Sequence, residues 1–188
     1  MPPFFFDHTA AVKTLILGIK PINETQMSKQ FLTQLTEEDQ VLLGVSRPAP
    51  FAFADKVRFA ELDPLNHVNN VAYQIWFETA RVQYFTAWGL SNYRHDGTEP
   101  LLVIRRGETD YLKEMKQGEE YVVTCRTIAY RKTSFTIQNE IWSNGRCCTV
   151  YHGVVVLLDP ATKEKMPLPD EFKKKITKID GARFTPSQ

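Results

Sequence analysis

Arg58-Phe-Ala-Glu61-Leu-Asp63-Pro-Leu-Asn66-His67-Val-Asn69-Asn70-Val-Ala-Tyr73-Gln-Ile-Trp76-Phe77-Glu78-Thr-Ala-Arg81 places an acid, a histidine and an amide pair just ahead of a long amphipathic helix. Asn69 or Asn70 is the expected N-cap. From Asn70 onward, Val71, Ile75, Phe77, Ala80, Val82, Tyr84, Phe85 and Trp88 recur at helical spacing, and Gly89 is placed to end the helix. A helix start presents unpaired N–H groups and the positive end of the macrodipole, so it can polarise a carbonyl oxygen as negative charge builds on it. Asp63 lies in the loop that feeds the helix, seven residues before Asn70. A carboxylate held near such a carbonyl can act as general base toward water or as nucleophile. Taken one residue at a time, the same run also reads as an Asp-Pro turn, a loop histidine bonded to backbone and an ordinary asparagine cap.

Beyond the helix, strand-like runs follow one another with tight turns, the mark of an antiparallel meander. The first is Leu101 through Leu112, with a bulge expected at Gly107. Lys116-Gln-Gly118 turns the chain into Tyr121 to Tyr130, and Phe135, Ile137 and Ile141 give the next strand a buried face. Asn144-Gly145 is a two-residue hairpin signal leading into Cys147 to Leu158, and Asp159-Pro160 ends the sheet. Val154 to Leu158 is apolar at every position, as suits a strand covered on both faces, and Pro167 to Phe172 opens a short C-terminal helix. One strand, one long helix and a meander predict an α+β fold in which a curved antiparallel sheet wraps the helix.

Residues 1–50 read as a separate N-terminal extension, partly helical, followed by a main domain over 51–172 and a C-terminal helix end and tail over 173–188. Within the extension, Met27, Phe31, Leu32 and Leu35 suggest an amphipathic turn or two, and Thr36-Glu-Glu-Asp39 suggests a helix start. The extension carries five acids and no Arg before Arg47, unlike a mitochondrial transit peptide.

The 188 residues, 43% hydrophobic, suffice for one domain with a sizeable core. A formal charge of +1 argues against a nucleic-acid surface. Cys125, Cys147 and Cys148 suit neither a disulfide framework nor a zinc knuckle, so a reducing cytoplasm is the expected location. No stretch approaches the roughly 20 apolar residues of a membrane span. The four histidines are too scattered for a metal site, and no Gly-x-Ser-x-Gly segment offers a serine nucleophile. Arg131-Lys132-Thr133-Ser134, between two strands, suits a phosphate clasp or an exposed turn kept soluble by charge. Arg105-Arg106 is a second basic pair, but strand alternation lets at most one face a given pocket. Glu78 and Arg81 are placed to pair with each other or with the sheet.

The opening stretch resembles the 4-hydroxybenzoyl-CoA thioesterase-like branch of the hotdog-fold acyl-CoA thioesterases, whose signature is an acid, Gly-His-Val-Asn-Asn, a Tyr and Phe-Glu-x-x-Arg. Asp63, His67-Val68-Asn69-Asn70, Tyr73 and Phe77-Glu78-x-x-Arg81 meet it. Asn66 stands where that family usually has Gly, and Asn tolerates left-handed backbone angles. The resemblance extends less specifically to about residue 172 and leaves roughly the first fifty residues unexplained. It implies the hotdog arrangement and thioester hydrolysis without a cofactor. Asp63 would be the catalytic carboxylate, the N–H near Asn70 would polarise the thioester carbonyl, and His67 would orient Asp63 or a water or hold the loop. Tyr73 would line the acyl pocket or pack in the core, and Arg131, Lys132 and Ser134 would hold the CoA nucleotide. The implied partners are an acyl-CoA or acyl-carrier-protein thioester, fatty or aromatic, and sister chains in a homodimer or homotetramer whose sites lie between subunits. One alternative is a non-catalytic hotdog protein that binds acyl chains or partners. Another, ranked below it, is a hotdog hydratase, in which His follows Asp by five residues instead of the four seen here.

Overall fold

The computed structural model describes residues 31–186. The chain forms helix α1 (Glu37–Leu42), strand β1 (Phe51–Lys56), a 3-10 turn (Phe59–Glu61), the long helix α2 (Asn70–Ala87) and strands β2 (Leu101–Tyr111), β3 (Glu120–Tyr130), β4 (Ser134–Ser143) and β5 (Arg146–Leu158). Helix α3 (Asp170–Lys175), a π-helical turn (Ile176–Asp180) and the two-residue strand β6 (Arg183–Phe184) complete it. The sheet order is β1-β3-β4-β5-β2, antiparallel throughout except that β6 joins β3 in parallel. It curves around α2, the α+β hotdog arrangement expected. Among the described residues no helix is long and apolar enough to cross a membrane.

Local chemistry sets the helix ends. Thr36 and Asp39 cap α1 reciprocally, each side chain accepting the other's backbone N–H at 3.1 Å. Asn69 is the cap of α2, its Oδ1 accepting the Val71 N–H at 2.9 Å. At the far end Gly89, at φ +72°, donates to the Thr86 carbonyl and Leu90 to that of Phe85, a paired closure that requires the left-handed residue. Asn144 and Gly145, both at positive φ, make the β4–β5 hairpin.

α2 lies on the sheet through Tyr73, Trp76, Phe77, Ala80, Tyr84 and Phe85. The expected stripe is therefore rotated: Val71, Ile75 and Val82, one helical face at spacings of four and seven, stay exposed. Periodicity identified the helix, but with two apolar faces it did not identify which one the sheet covers. On β3, α2 stacks Trp76 on Tyr121 (centroids 4.1 Å), and on β5 it meets Tyr151. Its ring stacks on Phe77 (centroids 5.1 Å, planes 20° apart), and the Arg81 guanidinium lies 5.6 Å from the same ring. Arg81 thus meets the sheet instead of Glu78. Beneath the ring, Gly107 and Gly153 face each other across β2 and β5, and a Cβ on either would come within 3 Å of it.

Gly107 is thus a seat for a ring, and the bulge falls earlier, at Arg105, where the β2–β5 register shifts between Ile104 and Arg106. The extension also departs from expectation. Residues 1–30, including Met27, lie outside the described residues. Phe31 and Gln34 are extended, bridging Ala54 and Phe53, with Leu32 and Leu35 donating to the carbonyls of Ala54 and Ala52. The reason is the free edge of β1, whose unpaired carbonyls take those N–H groups in place of a helical turn. At the other end, the tail adds β6 to the sheet after α3.

Gly153→Ala is expected to destabilise the fold by about 1–3 kcal/mol, because its methyl must displace a ring pinned by Phe77. Urea unfolding monitored by tyrosine and tryptophan fluorescence would measure the loss.

Candidate active site

The loop before α2 closes on itself. The Asp63 N–H donates to the His67 carbonyl at 2.8 Å, the Asn66 N–H to the Asp63 carbonyl at 3.0 Å, and the Asn69 N–H to the Glu61 carbonyl at 2.8 Å. Asn66 sits at φ +61°, the left-handed geometry for which Gly or Asn is suited. Asp63 Oδ1 accepts the N–H groups of Leu65 (2.9 Å) and His67 (3.1 Å). Asp63 Oδ2 carries no hydrogen bond among the described residues. One oxygen therefore holds the loop while the other is left unbonded among the described residues, so forming the turn does not use up the carboxylate.

Asp63, His67, Asn70 and Tyr73 line one depression of about 390 Å³, together with Tyr111 at the end of β2 and Glu114 beyond it. Asn70 is the first residue of α2, and its N–H has no acceptor among the described residues, as expected at this helix position. His67 touches Asp63 through its backbone only; its Nε2 lies 3.1 Å from Glu114 Oε2. Glu114 follows β2, and no spacing in the sequence links it to His67. Tyr73 is both in the core and at the depression, packed edge-on against Trp76 (5.2 Å) and Tyr111 (5.4 Å). Burial pushes its phenol up to about 12, so at neutral pH it can donate a proton in a hydrogen bond but cannot serve as a base.

A carboxylate that the sequence reading left without a role supports this loop from below. Glu61 Oε1 accepts the Trp76 indole N–H at 2.9 Å, and its Oε2 accepts the Arg58 N–H at 2.7 Å. Arg58 in turn grips Asp55 with both carboxylate oxygens at 2.9 Å. That hydrogen-bonded partner raises the guanidinium pKa. The loop, β1 and α2 are thereby tied together. Glu61 lies two residues before Asp63, close enough to be noticed, but its partner Trp76 is fifteen residues away and declared only by the fold.

Arg131 and Ser134 are elsewhere. They line a cleft of about 650 Å³ with Arg105, Arg106 and Thr185, on the sheet face away from α2, and it shares no lining residue with the Asp63 depression. Both adjacent arginines line it, against the expectation from strand alternation, because the bulge at Arg105 breaks that alternation. Lys132 is exposed and outside the lining, its carbonyl taken by the Leu168 N–H at 2.9 Å. An apolar groove of about 340 Å³ between Leu35 and Trp142 lies on the outer face and includes none of the expected site residues.

Residues 57–176 match the family described as the thioesterase-like superfamily. Among solved structures, the chain is similar to a thioesterase superfamily protein from Jannaschia sp. CCS1, with 35% identity, a TM-score of 0.76, and coverage of 81% of this chain and 96% of that one. It is similar also to a thioesterase from Thermus thermophilus complexed with coenzyme A and zinc, with 31% identity, a TM-score of 0.63, and coverage of 72% and 97%. Over 89 residues it is 33% identical to the uncharacterized protein YsmA of Bacillus subtilis strain 168; the match spans 46% of this chain and 58% of that relative.

Asn69→Ala removes the cap of α2 and is expected to cost about 1 kcal/mol. Asn66→Val forces a branched side chain into the left-handed region and costs about 1–2 kcal/mol, whereas Asn66→Gly is close to neutral. Denaturant midpoints of the three variants would check this order.

Proposed function

The chain belongs to the thioesterase-like superfamily and is a thioester hydrolase, and on that premise we propose that it hydrolyses acyl-CoA thioesters with Asp63 as the catalytic carboxylate. The observation that carries this reading is the pairing of the open Asp63 Oδ2 with the unpartnered Asn70 N–H in one depression. The thioester carbonyl accepts from the start of α2, where the N–H and the helix dipole favour the oxyanion. Asp63 then either takes a proton from the attacking water or attacks the carbonyl itself. In the first case the CoA thiolate departs and the free acid forms directly. In the second, expulsion of the thiolate leaves a mixed anhydride that water cleaves to the free acid and Asp63. His67 holds Asp63 through its N–H and is itself oriented by Glu114. Tyr73 walls the acyl side.

The phosphates of CoA are assigned to Arg131 and Ser134, joined by Arg105 and Arg106. The CoA-bound Thermus thermophilus relative supports that choice of ligand, and the planar guanidinium fork suits phosphate oxygens. Because cleft and depression lie on opposite faces of the sheet, one substrate meets both where two copies of the chain adjoin. A homodimer is supported by uncovered apolar surface: Val71, Ile75 and Val82 on α2, and Leu101, Val103 and Ile104 on the edge strand β2. A long edge strand with apolar side chains is a template for pairing with a second copy.

Asp63→Asn, folded as the parent chain, is expected to lower kcat about 100- to 10,000-fold, and Asn70→Ala, which keeps the N–H, less than about tenfold. Free-thiol release from short, long and aromatic acyl-CoAs would measure both; an active Asp63→Asn would remove the carboxylate from its role. Val103→Lys, a charge on the edge strand, is expected to give monomers in sedimentation and to depress turnover.

A further inference from the structure

β1 pairs with β3 only as far as Cys125, which leaves the β3 edge from Arg126 to Tyr130 without a neighbouring long strand. β6 takes that edge: Arg183 pairs with Ala129 and Phe184 with Tyr130. The Phe184 and Tyr130 rings are 5.5 Å apart, and the Thr185 N–H reaches the Tyr130 carbonyl at 2.8 Å. Thr185 thereby lines the arginine cleft.

Two residues of strand hold little by themselves. The hold comes from Asp180, at the end of the π-helical turn. Its Oδ2 accepts from the Tyr84 hydroxyl (2.5 Å) and the Thr127 N–H (2.6 Å), and its Oδ1 from the Trp88 indole (3.0 Å). Tyr84 belongs to α2 and Trp88 is its C-cap, while Thr127 precedes a register shift in β3. One carboxylate thus fixes the tail against helix and sheet together, and Gly181, at φ +70°, turns the chain from there into β6.

The cleft itself gathers positive charge. Arg106 meets Glu108 at 3.2 Å, but Arg105 and Arg131 have no carboxylate partner among the described residues. Like charges held together without counter-ions repel, and a bound polyanion relieves that cost.

We infer that Thr185, held in place by β6 and by the Asp180 anchor before it, forms a wall of this phosphate cleft, and so sets the preference for thioesters on nucleotide-bearing CoA over those on bare pantetheine. The inference rests on the assignment of the cleft to the CoA phosphates. Thr185 is a lining residue and Asp180 a positioning residue that acts through β6.

The test is calorimetric titration of CoA and of pantetheine into the full chain and its Arg131→Ala, Thr185→Glu and Asp180→Asn variants. Arg131→Ala and Thr185→Glu are each expected to lower the ratio of CoA to pantetheine affinity about tenfold, and Asp180→Asn several-fold. A general loosening of the fold by Asp180→Asn would weaken both ligands alike and leave the ratio unmoved, and that outcome would overturn the role of Asp180. Thr185→Glu decides the wall independently, because the substitution keeps the backbone bond of β6. An unchanged ratio in that variant, beside a lowered one in Arg131→Ala, overturns the wall and leaves the cleft assignment standing. An unchanged ratio in Arg131→Ala overturns both.

Discussion

The structure turns on the stacking of α2 against aromatic rings of the sheet, Trp76 on Tyr121 of β3 and Phe77 on Tyr151 of β5. A ring laid across the facing glycines 107 and 153 occupies the space their missing side chains leave, and it presents a flat surface on which Phe77 stacks. Glycine in a strand interior weakens that strand, and a covering aromatic restores the lost contact. The helix therefore rests on rings supplied by two strands, Tyr121 and Tyr151. The start of α2, with Asn69 and Asn70, is carried by that seating to the end of β2 where Tyr111 closes the depression.

Two indoles pin the helix along its length. Trp76 donates to Glu61 near the start and Trp88 to Asp180 at the end, each an N–H bonded to a carboxylate delivered by a different part of the chain. Glu61 belongs to the loop that carries Asp63, and Asp180 to the tail that carries β6. The Asp63 loop and the tail are thus each referred to the same helix. A hydrogen bond to an ionised group is stronger than a neutral one, and its partial burial here limits competition from water.

The exposed face of α2 and the edge strand β2 give the molecule a second apolar surface. Val71, Ile75 and Val82 have the spacing of a buried stripe, yet the sheet covers the neighbouring face, because Tyr73, Trp76 and Phe77 carry the larger aromatic area. A helix with apolar residues on two faces asks for two partners. The sheet is the first, and a second copy of the chain is the occupant proposed for the other.

The sequence alone determined what depends on neighbours along the chain. The α2 boundaries followed from Asn69 and Gly89, the β4–β5 hairpin from Asn144-Gly145, and the loop geometry at Asn66 from the backbone angles asparagine tolerates, since each is a matter of local dihedrals and one-turn hydrogen bonds. The gathering of Asp63, His67, Asn70 and Tyr73 was legible for the same reason: they lie within eleven residues on one loop and one helix start. The tertiary structure decided what depends on partners far apart in sequence. Glu114 at His67, Trp76 on Glu61, the bulge that turns Arg105 and Arg106 to one cleft, the exclusion of Lys132 and the docking of β6 on β3 all rest on strand register and on which helical face the sheet covers. Register is set by long-range pairing across the whole sheet, and no local spacing encodes it.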